Sequence, residues 1–109
     1  MIDRSAGATD RGIEEANQET ILSLMSDEYA RRILDALGTG SLSARELIDR
    51  MDASRATVYR RLDRLEEAGI VESSMEIHPE GHHRKQFQVT VDRVNLAFGA
   101  DGVRVDITT

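Results

Sequence analysis

The chain has 109 residues and no cysteine, with 14 basic against 20 acidic side chains and a net charge of −6. That length suits one small domain with short arms, and the missing cysteine excludes disulfide staples, thiolate metal sites and thiol redox switches. No apolar run approaches the ~18 residues of a membrane span, and the polar start (Met1, Asp3, Arg4, Ser5) lacks a signal-peptide core, so a soluble cytoplasmic protein is expected.

An acidic balance taken alone argues against a nucleic-acid partner. The bases are lopsided, however: thirteen are Arg and one is Lys, Lys85. A surface rich in carboxylates and poor in Lys resembles proteins of salt-loving archaea, in which net charge serves solubility and says little about the partner. The position of each Arg then carries the information.

Residues 1–12 are small, polar and aperiodic, and read as a disordered arm ahead of a domain over 13–109. From Ile13 to Leu37 the pattern is helical, with Leu22, Tyr29, Ile33 and Leu37 on one stripe and Ile21 and Met25 beside it. Ser26-Asp27-Glu28 reads as a cap followed by acid in a first turn, which predicts helices near 14–25 and 27–37. Gly38 and Gly40 end the second. Ser43 and Glu46 have capping-box spacing and open a short helix over 44–51 with Leu47, Ile48 and Met51 inward. After the break Asp52-Ala53, Ser54 caps a longer helix to Ala68, with Val58, Leu62 and Leu65 inward and Gly69 at its end.

Beyond Gly69 the period changes to two. Ile70-Val71, Met75 and Ile77 face Phe87, Val89 and Val91 across a tip containing Pro79 and Gly81, which predicts a hairpin over 70–91. Val94, Leu96 and Phe98 then alternate, as do Val103, Val105 and Ile107, which predicts a second hairpin or an extension of the same sheet. The fold class is α+β: about four helices, a β-hairpin wing and a C-terminal hairpin, the order of a winged helix-turn-helix.

The helix over 54–68 gives that order its chemistry. Segment 54–65 holds Arg55, Arg60, Arg61 and Arg64 against Asp63, a local charge of +3 inside a remainder of −9. With Val58, Leu62 and Leu65 inward, 100° per residue puts Ala56, Arg60 and Asp63 opposite the core and Thr57, Tyr59 and Arg64 on the flanks, with Ser54 and Arg55 at the amino end. Arg binds guanine edges bidentately, Ala and Thr touch a thymine methyl, and Ser or Tyr hydroxyls take phosphate. Arg61 turns toward the core side and is expected in an internal ion pair. Tyr59 reads equally as a groove residue or a core-edge residue. The wing adds His82, His83, Arg84 and Lys85 for backbone or minor-groove contact.

The run from Leu42 to Val71, LSARELIDRMDASRATVYRRLDRLEEAGIV, resembles the DNA-binding core of ArsR-like winged helix-turn-helix regulators, and its Arg- and acid-rich style is similar to haloarchaeal members. The likeness extends loosely over about residues 27–91. It implies a homodimer on a pseudo-palindromic site in double-stranded DNA, with Ser54, Arg55, Thr57, Tyr59 and Arg60 as groove readers. The family's cysteine-based metal motifs have no counterpart here, and the C-terminal hairpin departs from the family's helical dimerisation tail.

Other readings stay open at this level. The Arg cluster is a solvated face if Glu66 and Glu67 pair with it. His78, His82 and His83 are metal-ligand types, but adjacent His82 and His83 diverge on a strand, so no metal or other cofactor is expected. No nucleophile elbow or phosphate loop is present, and no catalysis is expected. Ile21, Leu22, Leu24 and Met25 exceed what one short helix needs, which points to a dimer interface on the first helix, joined by the 94–107 hairpin. A winged-helix protein-interaction module of the transcription machinery is the alternative function. No effector is indicated.

Overall fold

The computed structural model describes the backbone of residues 11–12 and 15–109 and the side chains from residue 17 onward. Most of the expected 1–12 arm lies outside the described residues. Its last two, Arg11–Gly12, form strand β1. Four helices follow: α1 (Glu15–Met25), α2 (Glu28–Leu37), α3 (Ala44–Met51) and α4 (Arg55–Glu67), with the two-residue strand β2 (Leu42–Ser43) just before α3. The chain ends in two hairpins, β3 (Val71–Ile77) with β4 (His83–Val89) and β5 (Arg93–Gly99) with β6 (Gly102–Thr108). The two hairpins belong to separate three-stranded sheets, ordered β2-β4-β3 and β1-β6-β5.

Side-chain caps fix the helix ends. Asp27, rather than Ser26, caps α2, its carboxylate accepting the Ala30 amide at 2.8 Å. At α3 the capping box is complete: Ser43 Oγ accepts the Glu46 amide at 3.2 Å and Glu46 Oε1 accepts the Ser43 amide at 3.0 Å. The Ser43 backbone amide, and after it the Ser43 hydroxyl, favour the ionised carboxylate, so the Glu46 pKa is lowered. Asp52 ends α3 in the left-handed region at φ 53°, and the chain turns sharply into α4. At the far end of α4 the Gly69 and Ile70 amides donate to the Glu66 and Leu65 carbonyls at 3.1 and 3.0 Å, with Gly69 at φ 77°: a Schellman ending, which only glycine adopts without strain.

The core lies where the helices meet the bases of both hairpins. Ile33, Leu47, Val58, Leu62 and Leu65 are fully buried, as are Ile70 and Val71 at the root of the wing. Each such side chain contributes about 1.5–3 kcal/mol by leaving water. From the C-terminal hairpin, Val105 and Ile107 join the same cluster as Ile21 and Leu24 of α1.

Ile21 and Leu24 of α1 are thus buried in the chain's own core. Leu22, placed on the core stripe by counting, is 39% exposed. The count assumed one continuous helical phase, whereas the turn at Ser26-Asp27 resets it between Leu22 and Tyr29.

Candidate nucleic-acid interface

The faces of α4 follow the arithmetic of its sequence. Val58, Leu62 and Leu65 are buried, while Arg55, Ala56, Tyr59, Arg60 and Asp63 are exposed; Thr57 and Arg64 are half-buried on one flank. At the amino end Ser54 Oγ accepts the Thr57 amide at 3.1 Å and donates to Thr57 Oγ1 at 2.8 Å. Ser54 is thus engaged in capping, and the Thr57 hydroxyl proton is the one left to point outward. The Arg55 guanidinium lies 5.6 Å from the Tyr59 ring centre, and Tyr59 is 40% exposed, so it sits on the surface rather than at the core edge.

A network from α2 holds this helix in place. Arg61 Nε donates to Asp27 Oδ2 at 2.9 Å and its Nη2 to Asp27 Oδ1 at 3.2 Å, the ion pair expected on this side of the helix. The Arg61 hydrogen bond is the main reason the Asp27 pKa is lowered; desolvation opposes it and the Ala30 amide adds to it. The same carboxylate raises the Arg61 pKa. The guanidiniums of Arg32 and Arg61 each lie 5.9 Å from the Tyr29 ring centre, and Arg32 Nη2 donates to the Met51 carbonyl at the end of α3. One cluster therefore ties the start of α2 to the middle of α4 and to the end of α3.

The pairing of the Arg cluster with Glu66 and Glu67 is not formed among the described residues. Among the described residues Arg55, Arg60 and Arg64 form no ion pair. Glu66, one of their candidate partners, instead accepts from Ser73 Oγ of β3 at 2.7 Å.

Beside α4 runs the wing, in register from Val71↔Val89 to Ile77↔His83. His82 lies in the tip, where its carbonyl accepts the His78 amide at 3.1 Å, while His83, Arg84 and Lys85 open β4, all exposed. Nε2 of His78 lies 2.7 Å from Oε1 of Glu76. No group of three or more possible ligands among the described residues is placed to hold a metal ion.

A cleft of about 230 Å³ joins α3, α4 and the wing, lined by Ser43, Ala44, Arg45, Tyr59, Asp63, His83, Arg84, Lys85 and Phe87. It adds a residue that sequence reasoning missed. Arg45, in the first turn of α3, is exposed there near Arg84 and Lys85 because β2 pairs with β4, Leu42 opposite Phe87. The available signal was Arg45 inside the capping box, at a helix end that itself favours phosphate.

A trihelical core, a capped helix presenting an exposed cationic amino-terminal half and an adjacent basic hairpin define a winged helix-turn-helix protein. Residues 25–74 match a family model described as a helix-turn-helix domain. Among solved structures, the chain is similar to an ArsR-like transcriptional regulator from Rhodococcus sp. RHA1 (28% identity, TM-score 0.57, 69% of this chain and 64% of that one). It shares the fold of HlyU from Vibrio cholerae N16961 (24% identity, TM-score 0.57, 72% and 82%). The same holds for a MarR-family transcriptional regulator from Enterococcus faecalis V583 (20% identity, TM-score 0.56, 72% and 71%). No curated protein matches in sequence. The matched segment and these likenesses support a helix-turn-helix domain within a winged-helix fold of the kind found in transcription regulators. No helix of the described residues is long and apolar enough to cross a membrane.

Proposed function

We propose that the chain is a sequence-specific regulator that binds double-stranded DNA as a homodimer, with α4 in the major groove. Arg55, Ala56, Thr57, Tyr59 and Arg60 face the bases, and Ser54 and Arg64 flank them at the backbone. His82, His83, Arg84 and Lys85 of the wing reach the adjacent backbone or minor groove. The observation that carries this reading is the absence of any ion pair to Arg55, Arg60 and Arg64 among the described residues, in a chain with 20 carboxylates. Guanidiniums without an acid partner, Arg55 at the exposed amino end, Arg60 on the outer face and half-buried Arg64 on its flank, supply the bidentate donors that base edges and phosphates accept.

The acid-rich, Lys-poor composition supports a high-salt, haloarchaeal setting inside the cell, so the test is run in molar KCl. Genomic DNA fragments are selected by the purified protein and by the double variant Arg55→Ala/Arg60→Ala. A palindromic motif enriched by the wild type and lost in the folded variant is the expected result. A folded wild type that enriches nothing refutes DNA recognition, and the weight then passes to a protein-interaction module.

A further inference from the structure

β5 is an edge strand. In the sheet order β1-β6-β5, its far side meets no strand among the described residues. Its sequence, RVNLAFG, contains no Pro and no Lys, and its single charge, Arg93, stands at one end. Natural edges are normally blunted by such residues, by bulges or by cover, and an unblunted seven-residue edge is a template for another strand.

The hydrogen-bond phase of that edge is fixed. Leu96 lies opposite Val105, yet the Val105 amide donates to Gln18 Oε1 at 3.2 Å and not to Leu96. Leu96 and Val105 are therefore a non-hydrogen-bonded pair, and the N–H and C=O of Leu96 point away from β6, as do those of Val94 and Phe98. The side chains of the same three residues share one face of the hairpin. Along that face Val94 packs against the core, while Leu96, Phe98 and cross-strand Val103 are 48%, 77% and 51% exposed.

We propose that two copies of the chain join through β5, antiparallel about a two-fold axis at Leu96, forming one six-stranded sheet. This deepens the homodimer part of the proposed function. Pairing the outward backbone groups of 94, 96 and 98 with themselves allows one register that uses all three: Leu96 opposite Leu96 of the second copy, and Val94 opposite Phe98. On the other face Arg93 meets Gly99 and Asn95 meets Ala97, so no like charges oppose one another. Phe98 of one copy then lies beside Val94 of the other, where that copy's core begins. On the first face Leu96 then meets Leu96 and Phe98 meets Val94, so apolar side chains line the seam. The other seven-residue edge strand, β3, is not suited to self-pairing: about its centre at Ser74, Glu72 would oppose Glu76.

The natural chain has no thiol, so single cysteines report the register directly. In the proposed sheet the two Leu96 Cα atoms are ~5.5 Å apart, within disulfide range, whereas the two Phe98 positions are offset by four residues, ~13 Å along the strand. Full-length Leu96→Cys, Phe98→Cys and Leu96→Lys are compared with wild type in molar KCl by sedimentation velocity, circular dichroism and non-reducing gels after mild oxidation. The expected outcome is a dimeric wild type, a disulfide dimer for Leu96→Cys, little cross-linking for the more exposed Phe98→Cys, and a folded monomer for Leu96→Lys. A monomeric wild type, a dimeric Leu96→Lys, or equal cross-linking at both cysteines overturns the proposal. DNA selection by wild type is read separately. Failure of the β5 pairing leaves that enrichment intact, and failure of DNA recognition leaves the cross-linking pattern intact.

Discussion

Replacing Asp27 by Ala removes two interactions made by one carboxylate: the cap on the Ala30 amide at 2.8 Å and the two-pronged bond to Arg61 at 2.9 and 3.2 Å. Loss of an N-cap costs about 1 kcal/mol. Exposed ion pairs are worth under ~1 kcal/mol, but here the side chains are only 21% and 24% exposed and the geometry is two-pronged, so about 1 kcal/mol is assigned to the pair. Asp27→Ala should therefore lower unfolding free energy by about 2 kcal/mol, and Asp27→Asn, which keeps a capping acceptor, by about 1 kcal/mol. Urea titration followed by circular dichroism measures both. The sign of the pH dependence follows from the lowered pKa. The folded carboxyl binds its proton less readily than the unfolded one, so the stabilisation is complete above the unfolded value near ~4 and is lost as pH falls through the lower folded value. The gap between wild type and Asp27→Asn should be flat from neutral pH to about 4 and shrink below it. An Asp27→Ala loss under ~0.5 kcal/mol, or a gap unchanged in acid, refutes the role assigned to this carboxylate.

Three further outcomes are expected. Gly69→Ala should cost about 1 kcal/mol in the same titration, because φ is 77° while nothing lies within 4 Å of the added Cβ, so the strain is in the backbone alone. Leu62→Ala should cost about 3 kcal/mol, since the side chain is fully buried between the helices. Arg45→Ala should weaken binding to all DNA sequences alike and change the slope of log affinity against log salt by about 1, measured by fluorescence anisotropy on selected and scrambled duplexes. A change in sequence preference instead would move Arg45 from phosphate to base contact.

Helix positions were legible because their ends are made by local chemistry. Ser43 with Glu46, Ser54 with Thr57, and Gly69 each act within a few residues, and the structure finds each of them at a helix end. Strands β1 and β2 were not legible. Each has two residues, too few to show a period, and each exists because a distant strand, β6 or β4, offers its edge. Leu22 was misplaced for a related reason: side-chain direction is periodic only within one helix, and a capped break of one turn destroys the phase on which the count depended.

The site divides along the same line. Arg61 could be separated from Arg60 by angle alone, because both lie on α4 and 100° per residue is reliable inside a single helix, whereas Arg55 is set apart by its place in the first turn. Arg45 could not be found that way, since its neighbours Arg84 and Lys85 stand some forty positions away and meet it only through the β2–β4 pairing. Total charge was the least informative quantity. With 20 carboxylates available, the guanidiniums of Arg31, Arg32 and Arg61 bond to a helix-end carbonyl or to Asp27, whereas those of Arg55, Arg60 and Arg64 do not bond to any acid among the described residues. A net −6 is compatible with an anionic partner when the cations are segregated this way, because short-range contacts are governed by the groups within a Debye length, about 10 Å at 0.1 M salt and ~3 Å at molar salt. Under strong screening, the placement of three arginines outweighs the sum of the rest.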